Sequence, residues 1–553
     1  MANKPAGLSL DGSENSFVSH LRAFRSLGGV DDPHLSSVRR IDRDVSGATL
    51  LAATKSVSAS FVQQPATEQF EQEYIACADV KTDGPSQGQI HVEMECDRSG
   101  SVREDRRRSG KLVSVRFEIL ERRRSRVLLR LVTFDGSRAV RAAMGSVGMV
   151  VEGECLGGRV LDSAVELGCV CRLMLHLRAL SWTHPVLLER HRTEVPLPWS
   201  FLPWLRGQDR LQDLDLSTLA LAIRQTASLR FLLLAGRTTS AVRLVHGDAE
   251  GLRGLDVELF DRDIVVWIHS DLPESVIDTV CEALSQFGPR NVYVKRRLKQ
   301  ASRAADVCKS RLDCSVESDV CGSGACVVDE CGLRFFVELG TSHRIAHGTG
   351  LFLDQRENRQ WVRSNSCGAA VLNLFAYTCS FTVAAAAGGA SRTTSVDVSK
   401  RSLEVGRANL EYNRLDAGTH EFVCDDVADF VERARRRGLR WDMIIVDPPS
   451  FGRSRRGVFQ VERDYPRLLR CLVGLLANPG WLLACTNSRR VGDRTLRGWL
   501  VEAFGGSLLR MERVQSGWDF PSGHGGMRGF RCRVGRVILD DGVIRELSDC
   551  RDY

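Results

Sequence analysis

The residues best suited to chemistry lie between 355 and 490, at the ends of successive apolar segments. The segment Trp441-Asp442-Met443-Ile444-Ile445-Val446 stops abruptly at Asp447-Pro448-Pro449-Ser450-Phe451. Two prolines fix φ and remove backbone donors, so this turn is rigid, and it directs carbonyls and the Asp447 side chain into a cleft. Phe451 offers a stacking face for a planar base. Upstream, Val371-Leu372-Asn373-Leu374-Phe375-Ala376-Tyr377-Thr378 reads as a strand and turn that lead into a helix beginning at Ser380. Asp397 follows Asn373 by 24 residues, at the end of the next strand. An acidic residue at that place accepts from both hydroxyls of a ribose. The strand after it ends in Asp425-Asp426, where a carboxylate can accept from an adenine amino group. Asp397 and Asp426 also suit helix N-caps, where aspartate is common. With the Asp-Pro-Pro turn, the three strand ends place polar groups around one adenosine.

These residues need a scaffold that brings strand ends together. From Val371 to Ser488 the chain alternates strand and helix patterns: VLNLFAY, SFTVAAAAGG, RTTSVDV, SKRSLEVGRANLEYN, HEFVCDD, VADFVERARRRG, WDMIIVDPP, RDYPRLLRCLVGLL and GWLLACTNS. Such alternation predicts a doubly wound, mostly parallel sheet covered by helices, with its ligand at the carboxyl ends of the strands. A dinucleotide-dependent oxidoreductase would need G-x-G-x-x-G after the first strand, and LNLFAYTCSF has none.

Upstream, residues 205–330 predict an α+β domain. It has a helical pattern from Leu214, strands in SAVRLVHGD and GLDVELFDRDIVVWIHS, a helix in ESVIDTVCEALSQFG and a strand in NVYVKRRL. CVVDECGLRFFVEL predicts a hairpin near 326–339. Residues 111–200 suggest a small β-rich module, closed by a proline-bearing spacer, PLPWSFLPW, at 196–204. Residues 1–110 are weakly patterned and rich in Ser, Asp, Glu and Gln, which predicts a partly disordered segment.

At 553 residues the chain exceeds one ordinary core, and 43% hydrophobic with 26% charged residues is normal for a globular protein. The net charge of +7 comes largely from arginine. The runs Arg106–Arg108, Arg122–Arg124 and Arg435–Arg437 suit phosphate contacts and equally suit a solvated surface. The 18 cysteines include no C-x-x-C pair, and Cys308, Cys314, Cys321, Cys326 and Cys331 are spaced too widely for a usual zinc site, so no metal is expected. The N-terminal MANKPAGLSLDGSE lacks an apolar signal core and no apolar run suffices to span a membrane, which predicts a cytoplasmic location.

From about 205 to 550 the chain resembles class I methyltransferases of bacterial large-subunit (23S) ribosomal RNA. Arg243–Asp248 with Gly251–Leu255 is similar to the family's central domain, and Gly350–Arg359 to the segment leading into its catalytic fold. Leu374–Ser380, Ser395–Lys400 and Asp447–Phe451 are similar to its cofactor and catalytic motifs. The resemblance implies a Rossmann-like catalytic domain over 331–553, S-adenosyl-L-methionine as cofactor and ribosomal RNA as partner. It places the cofactor across the turn carrying Phe375, Tyr377, Thr378 and Ser380, with Asp397 on the ribose and Asp426 on the adenine edge. Gln355 and Arg356 would line the methionine end or the RNA side, and Asp447, Pro448 and Pro449 would border the transfer site. Cys379 departs from the family, which has glycine there, and its side chain is expected to crowd and weaken cofactor binding. The first 200 residues do not match the small RNA-binding module of some relatives.

The family divides by acceptor. Cytosine C5 needs a cysteine thiolate to add at C6, and relatives that do this carry Cys-Ser-Gly where this chain has Asn487-Ser488-Arg489. Cys485 lies two positions earlier and reads as a deeper packing residue. The Thr486–Arg490 segment and Lys295–Gln300 are closer to the branch that methylates a guanine ring nitrogen, which favours that acceptor. A cytosine-C5 enzyme, a non-catalytic RNA-binding assembly factor and a small-molecule or protein methyltransferase are the other readings.

Overall fold

The computed structural model describes residues 2–11, 16–27, 34–63, 70–80, 84–94, 111–154, 172–296 except 186, 209, 235 and 237, 324–340, and 348–535 except 455–456, 489, 515 and 522–526. The chain divides into two units, residues 1–316 with 518–524 and residues 317–517 with 525–553.

In the second unit, β1 (Ala370–Leu374), β2 (Arg392–Asp397), β3 (His420–Cys424), β4 (Trp441–Val446), β5 (Leu476–Thr486), β6 (Leu508–Arg513) and β7 (Arg528–Val534) form one seven-stranded sheet in the order β3-β2-β1-β4-β5-β7-β6. The pairs from β3 to β5 are parallel, and β7 runs antiparallel to both β5 and β6. Parallel neighbours need crossovers, and helices supply them. The crossovers are α2 (Ser380–Ala387), α3 (Lys400–Tyr412), α4 (Val427–Arg436) and α5 (Val461–Leu472), while α1 (Arg356–Asn365) precedes β1 and α6 (Asp493–Phe504) follows β5. Helices on both faces explain why β1 is buried throughout and why β4 exposes only Asp442, whose carboxylate accepts from the Ala370 N–H at 2.8 Å. From β1 the chain winds outward through β2 and β3, then returns to β4 on the other side. The order therefore reverses between β1 and β4, the place where a doubly wound sheet opens a crevice beyond its carboxyl ends. A hairpin, Ala325–Glu330 with Leu333–Glu338, also belongs to this unit, and Asn409 of α3 and Asn413, which caps that helix, accept from its Phe336 and Arg334 N–H groups.

In the first unit, a nine-stranded sheet runs Ala2–Lys4, Ser46–Thr49, Leu175–Thr183, Phe70–Asp79, Arg126–Thr133, Lys111–Arg123, Gln87–Met94, with Arg190–Glu194 and Val150–Val151 attached. The expectation of a weakly patterned segment before residue 110 is not what the described residues show, because several of them build this sheet. The segment Phe70–Asp79 begins with strict alternation: Phe70, Gln72 and Tyr74 are buried, whereas Glu71 and Glu73 face outward. Those glutamates pair with cross-strand arginines, Glu73 with Arg130 and Arg192 at 3.1 Å and Glu71 with Arg116 at 3.6 Å. A strand whose outer face opens on two ion-paired glutamates begins with a polar composition, which conceals it in the sequence. The expected spacer at 196–204 also packs down: Phe201, Trp204 and Leu205 are buried on Ile75, Cys77, Leu128 and Met174. Of the arginine runs, Arg122–Arg124 lies at the turn between two strands, with Arg123 paired to Glu121, and Arg106–Arg108 is outside the described residues.

The rest of this unit is an α+β layer. Strands Ala241–His246, Leu255–Phe260, Asp263–Ile268 and Asn291–Arg296 form a four-stranded sheet, and helices Leu216–Arg230 and Glu274–Ser285 share its core. Two short strands with a tight turn stand where the sequence suggested one long strand. Lys295 is buried with its ammonium 5.1 Å from the Trp267 ring, Arg296 pairs with Glu274 at 2.6 Å, and residues 297–300 of the basic segment lie outside the described residues. Among the described residues no helix is long and apolar enough to cross a membrane.

Candidate active site at the strand ends

Between β1 and α2 the chain turns with three non-glycine residues at positive φ, Phe375 (57°), Tyr377 (49°) and Cys379 (59°). Each such residue is strained. The strain is held by specific bonds: Asp397, at the end of β2, accepts from the Tyr377 N–H at 2.8 Å and from the Ser399 N–H at 2.8 Å. Burial pushes the Asp397 carboxyl up from its ordinary value, opposed by these backbone donors. The Thr378 hydroxyl donates to the Gly350 carbonyl at 2.6 Å, and Asn409 of α3 donates to the Thr378 carbonyl at 3.0 Å. Ser380 opens α2, and its hydroxyl lies 3.5 Å from a nitrogen of the buried Arg359, which is clamped by Glu330 at 2.6 and 2.7 Å. The half-buried Asp397 does not cap α3, because Ser399 does. Its place beside the turn suits an acceptor for ribose hydroxyls.

Cys379 does not crowd this cradle. Its side chain has no exposed surface and packs with Ala376, Leu403 and Phe422. Room for it comes from Gly406 of α3, where a Cβ would stand 2.5 Å from the Cys379 sulfur. The expected obstruction is therefore corrected: the thiol turns into a niche that a glycine elsewhere in the sequence leaves open. Burial pushes that thiol up to about 12, so it stays protonated.

Asp426 caps α4, with one carboxylate oxygen accepting from Ala428 at 2.9 Å and Asp429 at 3.3 Å. Asp447 is partly buried where β4 ends, and Pro448 is buried beside it. Tyr465 of α5 fixes that end by donating to the Val446 carbonyl at 3.1 Å. Gln355 donates to Asp447 at 2.7 Å. Burial, with the neighbouring Asp354 charge, pushes the Asp447 carboxyl up to about 7 against the opposing effects of Gln355 and Arg359. Asn487, at the mouth after β5, accepts from the Ser450 hydroxyl at 3.0 Å and so ties the β5 loop to the Asp-Pro-Pro turn. Arg356 instead turns inward to Glu330, at 3.8 Å. The Phe451 side chain lies outside the described residues.

The structure therefore brings Gln355, Phe375, Tyr377, Thr378, Ser380, Asp397 and Asp447 to neighbouring strand ends and loops, with Asn487 joined to them through Ser450. Sequence reasoning missed three features. Phe459, in the hairpin after Phe451, packs against Phe375 with ring centroids 5.4 Å apart. Asn358 and Arg531 stand behind Gln355, and Gly406 behind Cys379. Only Asn358 carried a signal, since it lies within the Gly350–Arg359 segment singled out for its similarity to the family.

A doubly wound sheet in the order 3-2-1-4-5-7-6 with an antiparallel seventh strand, and an acidic residue at the second strand end beside a turn leading into a helix, defines the class I S-adenosylmethionine-dependent methyltransferase. Comparisons with known proteins agree. Residues 309–530 match the S-adenosylmethionine-dependent methyltransferase family model, and residues 1–139 match the RNA pseudouridylate synthase model. The protein named "Putative ribosomal RNA large subunit methyltransferase YwbD" of Bacillus subtilis is 31% identical over 307 residues, covering 54% of this chain and 74% of that one. Ribosomal RNA large subunit methyltransferase I of Yersinia pestis is 26% identical over 429 residues, 75% of this chain and 98% of that one. Two solved structures are similar. One is a "putative methyltransferase complexed with SAH", with TM-score 0.51 and 29% identity. The other is a "putative sam-dependent methyltransferase from Streptococcus mutans", with TM-score 0.50 and 28% identity. Each covers 58% of this chain and 82% of its own. The chain belongs to the S-adenosylmethionine-dependent ribosomal RNA methyltransferase family, and it is a methyltransferase that uses S-adenosylmethionine.

Proposed function

We propose that this enzyme methylates a ring nitrogen of a guanine, N7-like in character, in large-subunit (23S) ribosomal RNA, in the cytoplasm where that RNA is found. The observation that carries the choice of acceptor is the state of Cys485. Carbon methylation of cytosine needs an accessible thiolate. Cys485 has no exposed surface, lies 3.9 Å from the Gln355 carbonyl oxygen, and burial holds its thiol well above the ordinary range, which keeps it neutral. Asn487 stands at the mouth instead. The relatives named for large-subunit ribosomal RNA, and the RNA pseudouridylate synthase match over 1–139, support RNA as the substrate.

In this reading Asp397 accepts from the ribose, Asp426 from the adenine edge, and the Phe375–Ser380 turn lies along the cofactor. The bound cofactor supplies an electrophilic methyl on a sulfonium. Guanine N7 has an in-plane lone pair, so the protein needs to align and desolvate it rather than deprotonate it. Pro448 and Pro449 make the wall rigid, Phe451 and Asn487 flank the entering base, and Asp447 presents an acceptor at the end of β4.

The test is transfer of tritiated methyl from S-adenosylmethionine to ribosomal RNA of cells lacking the protein, with nucleoside mass spectrometry of the product. Labelled methylguanosine supports the reading, and 5-methylcytidine replaces it with the cytosine alternative. A second reading, isomerisation of a uridine by the first unit, is favoured by the match over residues 1–139. Pseudouridine formed in the same RNA by the purified chain would establish it.

A further inference from the structure

Behind the Asp-Pro-Pro turn, two side chains that none of the roles above uses, the buried Asn358 and the partly buried Arg531, form a line with Gln355. Arg531 of β7 donates to the Asn358 side-chain carbonyl at 3.2 Å and to the Glu357 backbone carbonyl at 3.2 Å. Asn358 of α1, with no exposed surface, donates to the Gln355 side-chain carbonyl at 2.6 Å. Gln355, also buried, donates to Asp447 at 2.7 Å. We propose that Asn358 and Arg531 are positioning residues for methyl transfer, which fix the Asp447 carboxylate through Gln355. This rests on the reading that Asp447 borders the transfer site.

The polarity of the line argues for this role. An amide can face either way, and which end points where is decided by its partners. A guanidinium only donates, so it forces the Asn358 carbonyl toward itself and the Asn358 NH2 toward Gln355. That in turn forces the Gln355 carbonyl back toward Asn358 and its NH2 forward onto Asp447. One cation at the rear therefore sets a donor at the front, and the Asp447 carboxylate meets a fixed hydrogen bond rather than a rotating amide. The Arg531 guanidinium is itself held 5.3 Å over the Trp361 ring. Packing needs at this depth could be met by apolar side chains at less desolvation cost. A directional polar line that ends on a site carboxylate gives orientation, which apolar packing cannot.

The test uses the full chain with Asn358→Leu, Arg531→Met, Arg531→Lys and Asp447→Asn, and reads methyl transfer to ribosomal RNA beside S-adenosylmethionine affinity. Asn358→Leu and Arg531→Met are expected to lower kcat by roughly 10–100-fold, the usual effect of losing an outer support. The RNA KM and the cofactor Kd should stay within about threefold, and Arg531→Lys should recover part of the loss because it still donates. In the Asp447→Asn background, Asn358→Leu should cost less than about twofold more, because the two act as one unit. Unchanged kcat in Asn358→Leu, or its full cost in the Asp447→Asn background, overturns the proposal. So does a parallel fall of kcat and cofactor affinity that Lys does not relieve. Should the unaltered protein transfer no methyl to RNA, the acceptor reading fails, and the line is read separately by 13C NMR titration of aspartate-labelled protein, with Asp447→Asn identifying the signal. Asn358→Leu must then move the Asp447 midpoint upward, and an unmoved midpoint overturns the proposal.

Discussion

Replacing Gly406 with alanine should damage a turn that is distant in sequence. The added Cβ would lie 2.5 Å from the Cys379 sulfur, 2.8 Å from the Cys379 Cβ and 3.3 Å from the Phe422 ring. Carbon neighbours normally rest at about 3.5–4 Å, so roughly 1 Å must be found by displacing Cys379. Its backbone sits at φ 59° in the middle of the Phe375–Ser380 turn proposed to hold the cofactor, with Tyr377 and Thr378 tied to Asp397 and Asn409. Overpacking of this kind costs about 1–3 kcal/mol. Alanine within a helix returns about 0.5–1 kcal/mol relative to glycine. The net loss is about 1–2 kcal/mol, and for a unit of this size the calorimetric transition that responds to S-adenosylmethionine should fall by roughly 2–8 °C. Cofactor affinity should weaken by about tenfold, since the turn itself has moved.

The double variant separates this account from a general intolerance of α3. Cys379→Gly alone relieves a left-handed strain of about 1–2 kcal/mol, and forfeits a similar sum in thiol burial and unfolded-chain entropy. It should be close to neutral. Combined with Gly406→Ala it removes the clash and keeps the helix gain, so the double variant should melt within a few degrees of the unaltered protein and bind the cofactor as well. Calorimetry and titration of all three variants give a coupling of about 1–3 kcal/mol. A Gly406→Ala protein that melts normally, or a double variant no better than the sum of its parts, refutes the packing argument.

Other outcomes follow from the same site. Asp397→Ala removes the proposed ribose acceptor and leaves the Tyr377 and Ser399 N–H groups without their carboxylate, so S-adenosylmethionine affinity should fall by roughly 10–100-fold in calorimetry, and unchanged affinity would show that the ribose lies elsewhere. Asp447, pushed up to about 7 by burial, is mostly protonated below that pH. On the proposed placement a sulfonium cation lies beside it and favours the charged form, so S-adenosylmethionine should tighten as pH rises from about 6 to 8, while S-adenosylhomocysteine, whose sulfur is neutral, should change little. Asp447→Asn should abolish the difference, and parallel pH profiles for the two ligands would place the sulfur away from Asp447. Cys485→Ala should retain transfer within about threefold and cost about 1 kcal/mol of stability for a small cavity. A hundredfold loss, with trapping of 5-fluorocytosine-substituted RNA by the unaltered enzyme, would restore the cytosine route.

How much of this was legible in the sequence depended on periodicity. The strand–helix alternation from 371 to 488 is written in buried apolar runs such as Trp441–Val446, which a doubly covered parallel strand needs, so the sheet is legible in the sequence. Asp397 and Asp447 were legible because a strand end followed by a turn is a local feature. The first sheet was not. Glu71, Glu73, Arg116 and Arg130 are partners across strands, and a single sequence shows a polar stretch wherever such partners are far apart along the chain. The same limit hid Arg531, which lies more than 170 residues from the amide it orients.

Cys379 shows how a local reading can go wrong while the motif it belongs to is read well. Judged against a glycine at that position, the cysteine looked like a loss, because a Cβ in a left-handed turn is strained and was expected to project toward the ligand. The strain is real. The projection is not, because handedness at the turn directs the Cβ toward α3, where Gly406 leaves a space shaped for a sulfur atom. A side chain at a cofactor turn therefore has two faces to occupy, and only the packing partner decides which is open. The tolerance of such turns to non-glycine residues should be judged from the small residue opposite, on the third helix, before it is judged from the turn.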